Sequence, residues 1–169
     1  MAIAKCSGMF LLLVMLLVFL SGCKGGDMLL QGEKVCLFSS MEGRLTFQGE
    51  PVKGAKIVRR IEVNDKKEEP SFVTTDEKGM FSFSVVNKVI RQIFPAEIVT
   101  VQSLFVHYQG QEYHVWHMAR RDGGEYEEFG GKPVNLRCEI TDEIVPVEIK
   151  RGLLVTSCIW DYIEEVTYK

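Results

Sequence analysis

The sequence lacks most of the short motifs by which enzymes and nucleotide-binding proteins are recognised. It has no Gly-x-Ser-x-Gly motif, no Cys-x-x-Cys pair and no glycine-rich loop followed by Lys and Ser or Thr. The first absence argues against a serine nucleophile on a strained elbow, the second against a structural zinc site, and the third against a phosphate-binding loop. We therefore expect no cofactor and no bound metal.

Long runs of basic residues are also missing. The 169 residues include 20 Lys and Arg against 23 Asp and Glu, which gives a formal net charge of −3 at pH 7. Without a basic patch the chain has no electrostatic attraction for nucleic acid or for anionic lipid headgroups. Nucleic acid is therefore not an expected partner.

The apolar run near the amino terminus is too short for a spanning helix. Met9–Leu20 has 12 consecutive apolar residues, whereas a transmembrane helix needs about 20. Lys5 precedes the run and the small residues Ser21 and Gly22 follow it, which is typical of a secretory signal peptide. An uncleaved anchor helix and an ordinary secretory cleavage site are the alternatives.

The residues Leu20-Ser21-Gly22-Cys23 resemble the lipobox of bacterial lipoproteins. The resemblance implies cleavage before Cys23 and acylation of this cysteine, for example with palmitate, by several chains because one chain anchors only marginally. Lys24 stands where enteric lipoproteins retained in the inner membrane have Asp, so it implies the periplasmic face of a Gram-negative outer membrane. The predicted divisions are a cleaved signal peptide (1–22), a lipidated cysteine with a tether (23–34) and a β-sandwich domain (35–169).

Three cysteines remain in the expected mature chain: Cys36, Cys138 and Cys158. An odd number of thiols in an oxidising compartment predicts one disulfide and one buried free cysteine. Any of the three pairings is possible on the sequence alone.

The mature chain reads as short strands separated by turns. In the segment 55–63, Ile57, Ile61 and Val63 share one parity, which predicts a half-buried strand, and Val58-Arg59 interrupts the alternation in the manner of a bulge. Seven to nine such strands predict an antiparallel β-sandwich of the transthyretin-like or immunoglobulin-like kind.

Two local signals lie in the middle of the chain. Asp76-Glu77-Lys78-Gly79 predicts a hairpin turn, after which Phe81, Phe83 and Val85 alternate and are predicted to face inward. The segment 87–94 predicts a helical turn that ends before Pro95.

Residues 43–85 resemble the regulatory-like domain of carboxypeptidases, within the broader transthyretin-like class. The pattern Gly-x-Pro-Val-x-Gly-Ala, followed after a charged loop by Thr-Asp-x-x-Gly-x-Phe-x-Phe, is matched by Gly49, Pro51, Val52, Gly54, Ala55, Thr75, Asp76, Gly79, Phe81 and Phe83. The resemblance implies a fold and little about activity, because this sandwich has many roles. The remainder resembles small proteobacterial lipoproteins of no established activity.

The three histidines, His107, His114 and His117, are the candidates for a metal site. Strand geometry sends His114 and His117 to opposite faces of a sheet unless a bulge intervenes, so we expect surface histidines rather than a shared ion. Catalysis by a Cys-His pair, with Cys36 or Cys158, is less favoured than a disulfide.

The segment 120–132 has four glycines and mixed charge, which predicts a long exposed loop of functional or mobile character. Aromatic and arginine side chains are the usual anchors of protein interfaces. The candidate partner surface therefore consists of Arg120, Arg121, Tyr126 and Phe129.

Together these features favour a lipid-anchored, non-enzymatic module that binds a protein partner in the periplasm or envelope. One alternative is an immunity lipoprotein that neutralises a periplasmic toxin. A second, implied by resemblance to a transthyretin-like lipoprotein of type VI secretion, is an assembly lipoprotein. The third is a hydrolase or metal-dependent enzyme, which requires the histidines to converge with carboxylates in a cleft.

Overall fold

The computed structural model of the protein describes residues 32–91, 97–121, 123–149 and 152–163. These residues form fourteen strands and one turn of 3-10 helix at Glu127–Phe129. The strands are β1 (Glu33–Phe38), β2 (Met41–Phe47), β3 (Glu50–Pro51), β4 (Lys56–Val63), β5 (Lys66–Lys67), β6 (Ser71–Thr74), β7 (Met80–Phe83), β8 (Val86–Ile90), β9 (Thr100–Tyr108), β10 (Gln111–Arg120), β11 (Lys132–Glu139), β12 (Val145–Ile149), β13 (Gly152–Thr156) and β14 (Cys158–Ile163). The predicted all-β fold is confirmed, and the strands are shorter and more numerous than the seven to nine expected.

The strands form a sandwich of two larger sheets and one two-stranded ribbon. The large sheet has the order β12-β13-β10-β9-β4-β5, with β6 also paired to β4, and the small sheet has the order β14-β11-β2-β3, with β7 also paired to β2. β1 and β8 form the ribbon. Pairing in the described residues is antiparallel except between β2 and β11, which run parallel.

The core lies between the sheets and is filled by alternate residues of their strands. Phe81 and Phe83 face inward as predicted and lie edge-on to each other, whereas Val85 lies past the end of β7 and is exposed. Burial of each large apolar side chain contributes roughly 1.5–3 kcal/mol. None of the described residues belongs to a helix long and apolar enough to span a membrane.

Arg59 explains why β4 looked irregular in the sequence. β4 alternates without a bulge, so the predicted bulge at Val58-Arg59 is wrong, and Arg59 points into the sandwich beside Ile57 and Ile61. Its guanidinium lies over the rings of Phe38 and Phe83, 4.8 Å from each centroid, and donates to the carbonyl of Ser84 at 2.8 Å. Burial lowers the pKa of Arg59.

Two boundaries differ from those predicted. β1 begins at Glu33, two residues before the predicted start of the β-sandwich domain at residue 35. The segment predicted to form a helical turn is in part a strand, because Asn87–Ile90 lies in β8 and pairs with β1. The ribbon pairing provides backbone hydrogen bonds that a single helical turn cannot. The rest of that segment, from 92 to 94, lies outside the described residues, as does Cys23.

The residues of the Gly-Ala and Thr-Asp-Gly pattern lie next to each other in the fold. Thr75 accepts from the amide of Ala55 through its hydroxyl, at 2.9 Å, and exchanges backbone hydrogen bonds with Gly54 and Ala55. Asp76 accepts from the amides of Lys78 and Met80, both at 2.8 Å, which closes the predicted turn. Gly79 is required there because φ is +75° and a Cβ would lie 2.4 Å from a backbone oxygen of β2.

The disulfide joins Cys138 of β11 to Cys158 of β14, which face each other in the antiparallel register. Cys36 is free and buried. The predicted count of one disulfide and one buried thiol is therefore confirmed, and the structure identifies the pairing that the sequence left open.

Candidate functional site

The predicted partner surface in the segment 120–132 is buried in large part. Arg120 is fully buried at the end of β10, Glu128 is 1% exposed, and Phe129 is also in the core. Arg120 Nη1 lies 2.9 Å from Glu128 Oε2, so a buried ion pair closes the base of the loop. The proposal that Arg120 and Phe129 contact a partner is therefore wrong, whereas Arg121 is exposed.

The loop is held down by the amino-terminal strands. Arg120 donates to the carbonyl oxygens of Cys36 and Gly124, and Glu128 Oε1 accepts from the amide of Ser39 at 3.0 Å. Tyr126 is half-buried, and its hydroxyl lies 2.6 Å from Ser40 Oγ. The contacts with Cys36, Ser39 and Ser40 join residues more than 80 positions apart, so the local composition of the loop could not reveal them.

Phe129 fills an aromatic cluster between the sheets. Its ring lies 5.3 Å from that of Trp116 in β10 and 5.4 Å from that of Trp160 in β14. Trp160 Nε1 donates to the Phe129 carbonyl at 3.0 Å. The aromatic residues of this cluster therefore stabilise the sandwich.

The three histidines lie together on the outer face of the large sheet. A bulge between His114 and Trp116 shifts the register of β10 against β9, so His114 and His117 point the same way despite their odd spacing. Their ring centroids are 5.7 Å apart. The expectation that they occupy opposite faces is wrong because the extra residue, Val115, reverses the alternation.

Aromatic rings and cations surround these histidines. Phe105 stacks on His114 with centroids 4.6 Å apart and planes 10° apart, and the Arg60 guanidinium lies 4.2 Å from the Phe105 centroid. Lys56 lies on β4, like Arg60, and its Nζ is 4.3 Å from the ring centroid of Phe72 on β6. The histidine face is the name used below for the surface made by Lys56, Arg60, Phe72, Phe105, His107, Glu112, His114 and His117.

Charge on the histidine face is loosely paired. Glu112 Oε2 lies 3.4 Å from His107 Nε2 and 3.6 Å from Arg60 Nη2, and all three side chains are more than 40% exposed. Exposed pairs of this kind contribute little to stability. Burial lowers the pKa of His114, whose Nε2 is buried without a hydrogen-bond partner among the described residues. Protonation there would create a poorly solvated charge.

Ser103 and His117 resemble a nucleophile and its base but lack the oxyanion hole that acyl transfer requires. Ser103 Oγ lies 3.0 Å from His117 Nδ1, which is hydrogen-bond reach for a nucleophile and its base. Both residues, however, lie within strands paired on both sides, where the backbone amides are engaged in the sheet and form no oxyanion hole. Across the described ranges, no three His, Cys, Asp or Glu side chains could hold a metal ion.

The histidine face is instead suited to binding. Phe72 is 62% exposed, and Phe105 and Val58 are half-buried beside it. Further along the same sheet Leu153 is 61% exposed. Exposed and half-buried rings beside an Arg on the outer side of a sheet match the enrichment of aromatic residues and Arg in protein interfaces. Outward parity along β4 and β9 was the sequence signal for this face, but the bulge in β10 had none.

Fold and site together define a small β-sandwich protein with an exposed aromatic and cationic sheet face. Residues 41–143 match a protein family described as a domain of unknown function (DUF6795). The chain belongs to this family. The match runs from β2 to beyond β11 and includes every residue of the histidine face, whereas β12, β13 and β14 lie outside it. Neither the curated proteins nor the solved structures include a significant match.

Proposed function

We propose that the protein is a lipid-anchored, non-enzymatic module that binds a protein partner through the histidine face. The observation that carries this proposal is the exposed ring of Phe72 and the half-buried ring of Phe105, which lie beneath Lys56 and Arg60 on the outer side of the large sheet. Apolar area in such a patch is favourable to bury, and the rings are already held in place by their neighbours.

The partner surface that fits is apolar with carboxylates at its margin. Lys56 and Arg60 stack on rings through their cationic groups and are exposed on their other sides. Arg60 is only loosely paired with Glu112, at 3.6 Å, so a partner carboxylate can compete for it. Opposite charges at the rim of an interface chiefly raise the association rate and set specificity.

The envelope location rests on the sequence around Cys23. The short apolar run, the small residues before the cysteine and Lys24 support a lipoprotein signal. The disulfide between Cys138 and Cys158 supports an oxidising compartment. Mass spectrometry of the amino-terminal peptide is expected to show acylated Cys23 as the first residue; an intact residue 1 or an unmodified Cys23 would contradict the anchor.

A matched pair of variants tests the binding face. In affinity capture from envelope extracts, Arg60→Glu with Phe105→Ala is expected to lose the retained partner, because both interface anchors are removed. Arg137→Glu with Met80→Ala makes the same change of charge and also truncates an exposed apolar side chain, on the outer side of the small sheet, and is expected to retain it. Equal retention by both variants, or loss with the second alone, would reject the histidine face.

A periplasmic toxin and a component of a secretion apparatus are the two partner classes suggested by the sequence. The two partner classes predict different phenotypes for a variant whose histidine face no longer binds. For a toxin, Arg60→Glu leaves the producing cell sensitive to toxin delivered to its periplasm. For an apparatus, the same variant abolishes secretion while resistance is unchanged.

A further inference from the structure

The margins of the two sheets differ in how they are protected against further pairing. β12, at one end of the large sheet, contains Pro146, and β5, at the other, consists of Lys66 and Lys67 alone. β3 in the small sheet has two residues, one of which is Pro51. Proline, lysine and short length are the usual means of blocking edge-to-edge association.

β14 differs from these strands, and β6 and β7, which also pair on one side only and lack proline and lysine, have just four residues each. β14 has six residues, Cys158–Ile163, without proline or lysine, and among the described strands it pairs with β11 on one side only. Ile159 on this strand is 55% exposed. A strand of this length with an open edge can accept backbone hydrogen bonds from an added strand.

An apolar groove of about 360 Å³ runs beside this edge, at the seam between β12 and β14. It is lined by Phe129, Gly130, Val147, Glu148, Ile149, Cys158, Ile159 and Trp160. Glu148 is the one charged residue in this described lining, and the exposed Asp161 follows Trp160 on β14. The groove therefore combines an apolar floor with acidic groups at its margin.

We infer that the open edge of β14 binds an extended segment of a partner protein that has alternating apolar residues and basic residues at its ends. The segment adds to β14 as a strand, and its apolar side chains enter the seam beside Val147, Ile149 and Trp160. Strand addition provides affinity through the backbone and specificity through alternate side chains. The acidic margin selects basic over acidic ends. This surface is separate from the histidine face, so the inference does not depend on the proposed function.

Synthetic peptides test the inference directly, with Trp160 as the reporter. Trp116 is fully buried, so a change in tryptophan emission on titration reports on Trp160 at the groove. The probe is acetyl-KVTVTVK-amide, which is expected to bind the purified protein saturably. Two control peptides separate the contribution of backbone pairing from that of the end charges. Acetyl-KVTPTVK-amide interrupts strand pairing at its centre, and acetyl-EVTVTVE-amide reverses the end charges. Both are expected to bind at least tenfold more weakly than the probe.

Protein variants locate the binding. Ile159→Lys places a cation at the edge and is expected to weaken binding of the probe about tenfold or more, since lysine on an edge strand opposes added pairing. Leu153→Lys, an equally exposed apolar residue on β13, is the control and is expected to leave binding unchanged. Absence of binding by the probe, equal binding of the proline peptide, or an equal effect of the two variants would overturn the inference.

The same edge has two other conceivable occupants, each with its own signature. A concentration-dependent dimer that Ile159→Lys dissociates, measured by analytical ultracentrifugation, would assign the edge to a second copy. Tighter binding of the probe after removal of residues 164–169 would assign it to the chain's own carboxyl terminus. Either result would overturn the assignment to a partner protein.

Discussion

At the scale of single residues, Arg120 and Glu128 form a buried ion pair on which the position of the 120–132 loop depends. The two side chains are 0% and 1% exposed, and Arg120 also donates to Cys36 and Gly124. Removal of both charges from such a site is often tolerated, whereas removal of one leaves the other buried and uncompensated. The pair therefore stabilises one arrangement of the loop against the first two strands.

Glu128→Gln is accordingly expected to lower the free energy of unfolding by about 3–5 kcal/mol. Arg120→Met combined with Glu128→Leu is expected to be less destabilised than Glu128→Gln alone. Urea unfolding followed by circular dichroism measures both. Lys53→Met at the exposed pair of Lys53 and Glu77, which are 67% and 81% exposed, is the control and should change stability by about 0.5 kcal/mol or less. A loss of similar size at the exposed pair would contradict this account.

Glu139 gives a second prediction, which concerns pH. Burial acts to raise its pKa, but hydrogen bonds from Thr141 and from the amide of Gly49 outweigh it and lower the pKa to about 2. Because the folded pKa lies below the ordinary value of 4.5, its stabilising contribution is complete above about pH 4.5 and is lost as pH falls toward 2. Glu139→Gln is expected to reduce stability by about 1 kcal/mol at pH 7.

The difference in unfolding free energy between the native protein and Glu139→Gln should therefore shrink steadily below pH 4.5. Chemical denaturation at several pH values between 2 and 7 measures it. A difference that is constant with pH, or that grows on acidification, would show that the carboxylate does not hold the turn at Gln48 and Gly49 in its charged form.

At the scale of secondary-structure elements, local signals predicted some features well and missed others. The Asp76–Gly79 turn and the inward Phe81 and Phe83 follow from adjacent residues, and the structure has them as predicted. The bulge at Val115 and the strand at β8 depend on pairing with distant strands. The burial of Arg120 depends on its contacts with Cys36 of β1 and with Glu128, which in turn accepts from the amide of Ser39. Nothing in the local sequence indicates which partner strand will impose such a change.

The disulfide is an element-scale constraint, because it fastens β14 to β11. The chain between Cys138 and Cys158 has a separation of 20 residues, for which the loss of loop entropy in the unfolded chain amounts to about 3 kcal/mol. Cys138→Ala with Cys158→Ala should therefore lower the thermal midpoint considerably. Cys36→Ala, which removes a thiol of similar burial but no cross-link, should have a smaller effect. Equal effects would mean that packing, and not the cross-link, accounts for the loss.

At the scale of the whole molecule, two exposed surfaces lie on different parts of one sandwich. The histidine face lies on the outer side of the large sheet, from β6 to β10, and within the DUF6795 match, while the open edge of β14 is at the margin of the small sheet and outside it. The fold class was predictable from the strand patterns. The presence of one disulfide and one free cysteine was predictable from the odd number of thiols in the expected mature chain. The proposed binding surface was not, because the loop predicted to be an interface is in large part buried, with Arg120, Glu128 and Phe129 in the core.

Site-specific photo-crosslinking in living cells tests the central claim most directly. Benzoylphenylalanine is placed at Phe72, the most exposed ring of the histidine face, or at Met80, which is 43% exposed on the outer side of the small sheet. The account predicts a discrete adduct with one protein at Phe72 and none at Met80, and loss of that adduct when Arg60→Glu is added. An adduct at Met80 alone, or an adduct at Phe72 that Arg60→Glu leaves unchanged, would contradict it.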